Sequence, residues 1–301
     1  MRKFLAFVIC LCLLTSFALA EDYSTLTKEE LEAKRQELIQ ELNSVTSAYG
    51  ALAKTEILSS PSEESLGSIQ SLFPDENFAM CIRDELNKFS ISQPVTQAEL
   101  DTITTLQSGG FSNYQAADLT GIHFLRYLKE IDLSWQQTCS VIPDEIGDLI
   151  YLNELDINYS SISTLPEGLG NCINLTKINA DVSDIRTLPK SFSNLINLKK
   201  LDLSANSSFI ALPDDIGSMI NLTELNVNKT SINSLPDSIC ECINLTTLNI
   251  SNTNVSSLPE NIGNLVNLSS LNISNTKISS LPESIWGLSL KSLDMSGTSI
   301  K

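Results

Sequence analysis

The sequence predicts an α/β solenoid, in which short coils of one strand and one turn or short helix stack behind a helical cap. Three observations predict it. The dipeptide Leu-Pro or Ile-Pro recurs at Ile142-Pro143, Leu165-Pro166, Leu188-Pro189, Leu212-Pro213, Leu235-Pro236, Leu258-Pro259 and Leu281-Pro282, with successive spacings of 23, 23, 24, 23, 23 and 23 residues. Two further apolar columns keep step. One runs through Ile146, Leu169, Phe192, Ile216, Ile239, Ile262 and Ile285, the other through Leu152, Leu175, Leu198, Leu222, Leu245 and Leu268. Aromatic residues make up only 6% of the 301-residue chain, as expected where repeated Leu and Ile fill every coil and leave few slots for larger rings.

Each element of the coil follows from its residues. In the copy spanning residues 243–265, Leu245, Leu248 and Ile250 end in strand-like alternation. The Pro that follows has no amide hydrogen and stops strand pairing. The segment after it, Glu or Asp, then x-Ile-Gly, suits a turn or short helix on the opposite side. A single copy cannot close a core around its own leucines, whereas stacked copies cover one another's apolar faces.

The first twenty residues read as an export signal. Arg2 and Lys3 precede an apolar run over residues 4–14, and Ala18-Leu19-Ala20 offers a small-x-small cleavage site before Glu21-Asp22. The run is shorter than the roughly 20 residues that span a bilayer, and no second run of spanning length follows it, so no stable membrane insertion is expected. Removing this segment, with its two basic and no acidic residues, takes the formal net charge from −17 to −19. That balance opposes nucleic-acid binding, which needs clustered Lys and Arg. Five cysteines remain: Cys81, Cys139, Cys172, Cys240 and Cys242.

Residues 21–58 form an acidic segment. Thr27 and Glu30 open a capping box, and Leu31, Leu38, Leu42 and Val45 make one apolar stripe of an amphipathic helix. Residues 59–72, Ser-rich with Pro61 and Gly67, read as a linker. Residues 73–127 read as the cap that a solenoid end requires. Phe78, Ile82 and Leu86 fall at i, i+4 and i+8 after Phe73-Pro74-Asp75 and give one helix. Thr96 and Glu99 form a second capping box, with Leu100 and Ile103 on one face of a second helix. Leu290, Leu293, Met295 and Ile300 begin an eighth coil.

Over residues 128–301 the motif L-P-x-x-I-G-x-L-x-N-L resembles the 23-residue class of the leucine-rich repeat family. The resemblance implies a horseshoe of about seven to eight coils with a parallel β-sheet on its concave side. The family usually places Asn two residues beyond the strand. Here that column reads Gln136, Ser160, Ser183, Asn206, Thr230, Thr253, Thr276 and Thr298, so a hydroxyl ladder is expected in place of most of the Asn ladder. A separate regular column, Asn174, Asn197, Asn221, Asn244 and Asn267, is expected to satisfy backbone groups at the turn into each strand. The run F-P-D-x-N-F…I-R-x-x-L…V-T-x-A-E-L…D-L-T-G-I-x-F-L is similar to the N-terminal cap of internalin-like bacterial surface proteins.

The residues give little sign of enzyme chemistry or of a cofactor. The single histidine, His123, sits beside Phe124 at the cap-to-repeat join and reads as structural. No phosphate loop, nucleophile elbow or zinc helix is present, and Cys240-Glu241-Cys242 lacks the spacing of a zinc site. Cys172 and Cys242 occupy a column of Leu and Met and read as small buried hydrophobes. Cys240 takes a column held by Gly147, Gly217 and Gly263 and is expected to be more exposed. Cys81 and Cys139 are candidates for a bridge between cap and first coil.

Function is therefore expected in binding. Within the strand frame, the side chains alternating with the apolar ones face the concave side: Glu130 and Asp132; Glu154, Asp156 and Asn158; Lys177 and Asp181; Lys200 and Asp202. Trp135 and Tyr159 flank them as candidate anchors, since aromatic residues dominate interface hot spots. The reading is a secreted or cell-surface module that recognises a protein, favouring a basic surface, through this face. Alternatives are a structural cell-envelope component without a specific partner and a eukaryotic secreted recognition protein.

Overall fold

The computed structural model describes residues 64–107 and 114–300. The expected export signal of residues 1–20 and the expected amphipathic helix of residues 21–58 lie outside the described residues. The described residues fall in one unit, Ser62–Lys301.

The cap is built from local signals in the chain. Strand β1 (Ser65–Ser68) pairs antiparallel with β2 (Pro94–Thr96). Helix α1 (Ile69–Leu72) follows β1 directly, with the Ser68 side chain accepting a hydrogen bond from Ser71 N–H at its N-terminus. Helix α2 (Glu76–Glu85) starts at Asp75, whose carboxylate accepts from the Phe78 amide at 2.8 Å. It buries Phe78, Ala79, Cys81 and Ile82, and the Phe73 and Phe78 rings meet edge to face at 5.2 Å. Helix α3 (Gln97–Leu100) opens with the complete Thr96–Glu99 capping box. It lasts about one turn, so Ile103 is buried just beyond it rather than on its face.

The Ser-rich linker read over residues 59–72 does not hold for its second half. Ser65–Leu72 form β1 and α1, and Ile69 is fully buried in the core. The composition misleads here because the serines act as caps and turn formers: Ser68 caps α1, and Ser65 Oγ accepts from the Gly67 amide. Gly121 joins the cap to the repeats. Its φ is +96°, and a Cβ placed there would collide with the Leu72 carbonyl oxygen, so only glycine fits.

The repeats form one parallel sheet of nine strands in sequence order. These are β3 (Thr105–Leu106), β4 (Glu130–Asp132), β5 (Glu154–Asp156), β6 (Lys177–Asn179), β7 (Lys200–Asp202), β8 (Glu224–Asn226), β9 (Thr247–Asn249), β10 (Ser270–Asn272) and β11 (Ser292–Asp294). Each pairs in register with its neighbours, so Ile131, Leu155, Ile178, Leu201, Leu225, Leu248 and Leu271 stack as a buried row. Opposite each strand the chain makes a short 3₁₀ turn, commonly just after the Pro. The Pro carbonyl accepts the first turn bond, as Pro143 does from Ile146 and Pro236 from Ile239. The structure is the leucine-rich repeat solenoid with a helical cap.

Side chains at fixed positions lock coil to coil. Asn174, Asn197, Asn221, Asn244 and Asn267 each donate Nδ2 to a carbonyl of the preceding coil, at 2.6–2.9 Å. The hydroxyl ladder is also present: Ser160, Thr230, Thr253 and Thr276 donate to the carbonyl three residues back. Asn206, like Gln136, puts an amide in this column and is completely buried. Its Nδ2 donates to Ala180, Leu203 and Ser204 carbonyls, and its Oδ1 accepts from the Ile185 amide of the previous coil. The two coils with an amide in this column, at Gln136 and Asn206, are also the two whose next ladder residue lies 24 positions on, at Ser160 and Thr230, against 23 elsewhere along the column up to Thr276.

A column of small residues lies where successive 3₁₀ turns touch: Gly147, Gly170, Ser193, Gly217, Cys240 and Gly263. A Cβ added at Gly147 would sit 2.5 Å from the Gly168 carbonyl oxygen of the next coil. This contact also corrects the expected exposure of Cys240, which is buried because the next coil covers it. Trp286 occupies the same column in the next coil and is 72% exposed.

The Glu99 carboxyl is held below the usual carboxylate range, first by the Lys88 ammonium at 2.7 Å and then by the Thr96 amide. A depressed carboxyl stabilises the fold above its unfolded pKa, and that contribution is lost as pH falls through the folded value. Glu99→Gln should therefore lower stability by about 0.5–1 kcal/mol at pH 7. The melts of the two proteins should converge as pH falls through the folded-state value of Glu99, and a pH-independent difference would refute the assignment.

Candidate binding face

In-register pairing turns each strand position into a row that crosses the coils. The first row reads Glu130, Glu154, Lys177, Lys200, Glu224, Thr247, Ser270 and Ser292. The second reads Asp132, Asp156, Asn179, Asp202, Asn226, Asn249, Asn272 and Asp294. Neighbouring strands lie about 4.8 Å apart, so these side chains interact along each row.

The rows mix ion pairs and hydrogen bonds with like-charge neighbours, among them Lys177 beside Lys200. Lys177 pairs with Glu154 at 3.2 Å and Lys200 with Glu224 at 2.7 Å. Asn179 donates to Asp156 and Asn226 to Asp202, both at 3.0 Å. Across β4 and β5, however, Glu130 stands beside Glu154 and Asp132 beside Asp156. Directly opposed like charges destabilise a sheet. These residues, with Lys177, line a shallow hollow of about 260 Å³. A second hollow of about 380 Å³ lies over β6 to β9 and is lined by Lys177, Lys200, Asp202 and Glu224 among others. Beyond β8 the two rows are uncharged until Asp294.

The residue two past each strand sits low in the face. Ser134 and Ser204 are buried, whereas Asn158 and Asp181 are half-buried. The Asp side chains bend the chain here: Asp132, Asp156 and Asp202 accept from the amides two residues on, at 2.8–3.0 Å. Ser204 Oγ also donates to Asp181 at 2.8 Å. The next residue in every coil takes a left-handed conformation. This column comprises Trp135, Tyr159, Val182, Ala205, Lys229, Asn252, Asn275 and Gly297, with φ between 51° and 72°. Trp135 and Tyr159 stack with ring centroids 4.3 Å apart and planes 6° apart. They remain 59% and 38% exposed. At the other end of the same strands Tyr127 and Tyr151 also stack, at 5.3 Å. The structure thus brings the sequence-derived residues onto one face. The Tyr127–Tyr151 stack is a feature the sequence reading missed, although both residues interrupt the Asn column and could have been noticed there.

The remaining reactive groups lie in the core. Cys81, Cys139, Cys172, Cys240 and Cys242 are buried and none forms a disulfide, so the candidate bridge between Cys81 and Cys139 is not formed. Burial pushes the thiols of Cys81 and Cys172 up to about 12 and those of Cys139 and Cys240 to about 11, which holds them protonated at neutral pH. His123 packs on the Phe124 ring at 4.2 Å. Among the described residues no group of three or more His, Cys, Asp or Glu side chains is placed to hold a metal ion, and no helix is long and apolar enough to cross a membrane.

Comparison with known proteins finds the same repeat and cap elsewhere. Residues 53–101 match the family model described as bacterial adhesion/invasion protein N terminal, and residues 243–300 match the leucine rich repeat model. Internalin C2 from Listeria monocytogenes superposes with a TM-score of 0.58 at 22% identity, covering 81% of this chain and 92% of that one. The chain therefore has a leucine-rich repeat fold similar to that of internalin C2. The chain also shares its repeat fold with the ectodomain of the plant membrane receptor kinase GASSHO1/SCHENGEN3 from Arabidopsis thaliana, with a TM-score of 0.51 at 23% identity over 59% of this chain. It spans a quarter of that ectodomain, 25%. No curated protein sequence matches it. Its fold is consistent with a protein-binding module.

Proposed function

We propose that this internalin-like protein is exported and binds another protein through the first half of its concave face. The observation that carries this reading is the clustering of four carboxylates on β4 and β5. Glu130 with Glu154, and Asp132 with Asp156, form two like-charge neighbours beside an exposed aromatic stack. A partner that brings positive charge relieves the repulsion and covers the rings. Export is supported by the signal pattern of residues 1–20 and by the adhesion/invasion family model over the cap. Protein recognition is supported by the similar plant ectodomain, which is in complex with Casparian strip integrity factor 2.

The test is affinity capture from the extracellular milieu of the source with the mature protein, compared with the double variant Glu154→Lys/Asp156→Lys. Asn272→Lys, on the uncharged part of the same row, serves as a control. Wild type and control should retain the same protein, and the double variant should lose it by about tenfold or more. Equal retention by all three would move the site elsewhere. Weak capture that salt abolishes in every case would instead indicate an envelope component without a dedicated partner.

A further inference from the structure

We propose that the Trp135–Tyr159 stack is the anchor of this face and that its occupant is an arginine-bearing segment of the partner protein. This deepens the proposed function and rests on the concave-face reading.

The solenoid contains its own control for what the turn requires. Eight successive coils put one residue into the same left-handed conformation. That region is readily entered by Gly and Asn and is unfavourable for bulky or β-branched side chains. Coils six to eight of the column use Asn252, Asn275 and Gly297, the residues that suit it. The first three use Trp135, Tyr159 and Val182, which do not. The turn therefore does not select these side chains. Nor does the core, because all three are exposed, at 59%, 38% and 37%. Residues kept where both backbone and solvent oppose them mark a functional surface.

Charge complementarity selects the occupant. The apolar strip borders the row of Asp132, Asp156 and Asp202, and Asp181 directly precedes Val182. The cations of the neighbouring row, Lys177 and Lys200, are engaged with Glu154 and Glu224. A ligand on the rings thus sits in a negative field, which disfavours an anionic or purely apolar side chain. A guanidinium satisfies both halves of the site. It lies flat on an aromatic face and forks to a carboxylate, while its stem covers apolar surface. A lysine ammonium satisfies the charge alone.

The chain has two tryptophans, so Trp286→Phe makes Trp135 the sole indole reporter. Titrating this protein with the peptide acetyl-Gly-Arg-Gly-Arg-Gly-amide should give a saturable change in Trp135 fluorescence. The lysine counterpart should bind about threefold to tenfold more weakly, and the citrulline counterpart, uncharged but isosteric, should not bind. Asp156→Asn should reduce the response, and Asp294→Asn, in the same row at the far end, should leave it unchanged. Equal response to the citrulline peptide, or absence of any saturable response to the arginine peptide, overturns the anchor.

The fold itself is controlled by Trp135→Asn/Tyr159→Asn, which installs the residue that coils six and seven already use. This variant should melt at or above the wild-type temperature while losing captured partner by about tenfold. Full retention of partner by this variant, with loss in Glu154→Lys/Asp156→Lys, would sink the anchor and leave the concave-face reading standing. Arginine-peptide binding without any partner sensitive to the charge reversal would do the opposite.

Discussion

Asn206→Ala should destabilise the protein by about 3 kcal/mol, because a fully buried amide serves four backbone groups there. The Nδ2 of Asn206 donates to the carbonyls of Ala180, Leu203 and Ser204, and its Oδ1 accepts from the Ile185 amide. Alanine leaves the Ala180 and Leu203 carbonyls and the Ile185 amide without this partner, while the Ser204 carbonyl keeps the Val182 amide, and each buried unsatisfied group costs about 1–3 kcal/mol before relaxation. For a domain of this size, 3 kcal/mol corresponds to a fall in Tm of roughly 6–12 °C. Amide hydrogen exchange should speed up first at Ile185, next to the lost acceptor. Asn206→Thr, which copies the neighbouring coil, should recover little, because the turn that follows is one residue longer than in the threonine coils. Combining Asn206→Thr with deletion of Ser208 should recover most of the loss, since it converts both features of the coil together. If threonine alone restores full stability, the link between amide and coil length is wrong.

Gly263→Val should be comparably severe for a steric reason. A Cβ at this position collides with the Ser284 carbonyl oxygen and crowds the Ser284 side chain on the next coil. That neighbour is backbone and is held in the stack by the Ser284 Oγ hydrogen bond to the Glu260 carbonyl, so it cannot swing aside. Overpacking of this kind costs about 1–3 kcal/mol where side chains can adjust, and more where backbone must move. Gly287→Val provides the contrast, because nothing lies within 4 Å of a Cβ built there. Thermal unfolding should separate the two variants by several degrees. Equal melting temperatures would mean that the 3₁₀ turns are not in rigid contact.

Much of the architecture was legible because repetition turns single-residue ambiguities into columns. One Leu-Pro predicts little, but seven in step fix the strand, the turn and the face that each side chain joins. The Asn174 column and the hydroxyl ladder were legible for the same reason. What escaped prediction lies where nothing repeats. Ser65–Leu72 looked like a linker because serine composition does not distinguish a flexible segment from one whose hydroxyls cap a strand and a helix. Cys240 looked exposed because its column was read within one coil, whereas its burial comes from the coil above. The concave residues could be placed from alternation alone. The aromatic stacking could not, because it depends on the left-handed turn that brings Trp135 and Tyr159 parallel.

The small-residue column also bears on how such an array can lengthen. Repeat proteins grow by duplicating a unit, and every new unit must present its 3₁₀ turn to the one before it. Among the coils described here, the largest side chain that a following turn covers at this position is Cys240. Trp286 exceeds it by most of an indole. A duplicated coil placed directly on the Trp286 turn would have to displace that ring, whereas one inserted anywhere between Gly147 and Gly263 would meet a surface already shaped to receive it. An engineer extending the concave face should therefore splice new coils between Gly147 and Gly263, where each turn is already shaped to receive its neighbour.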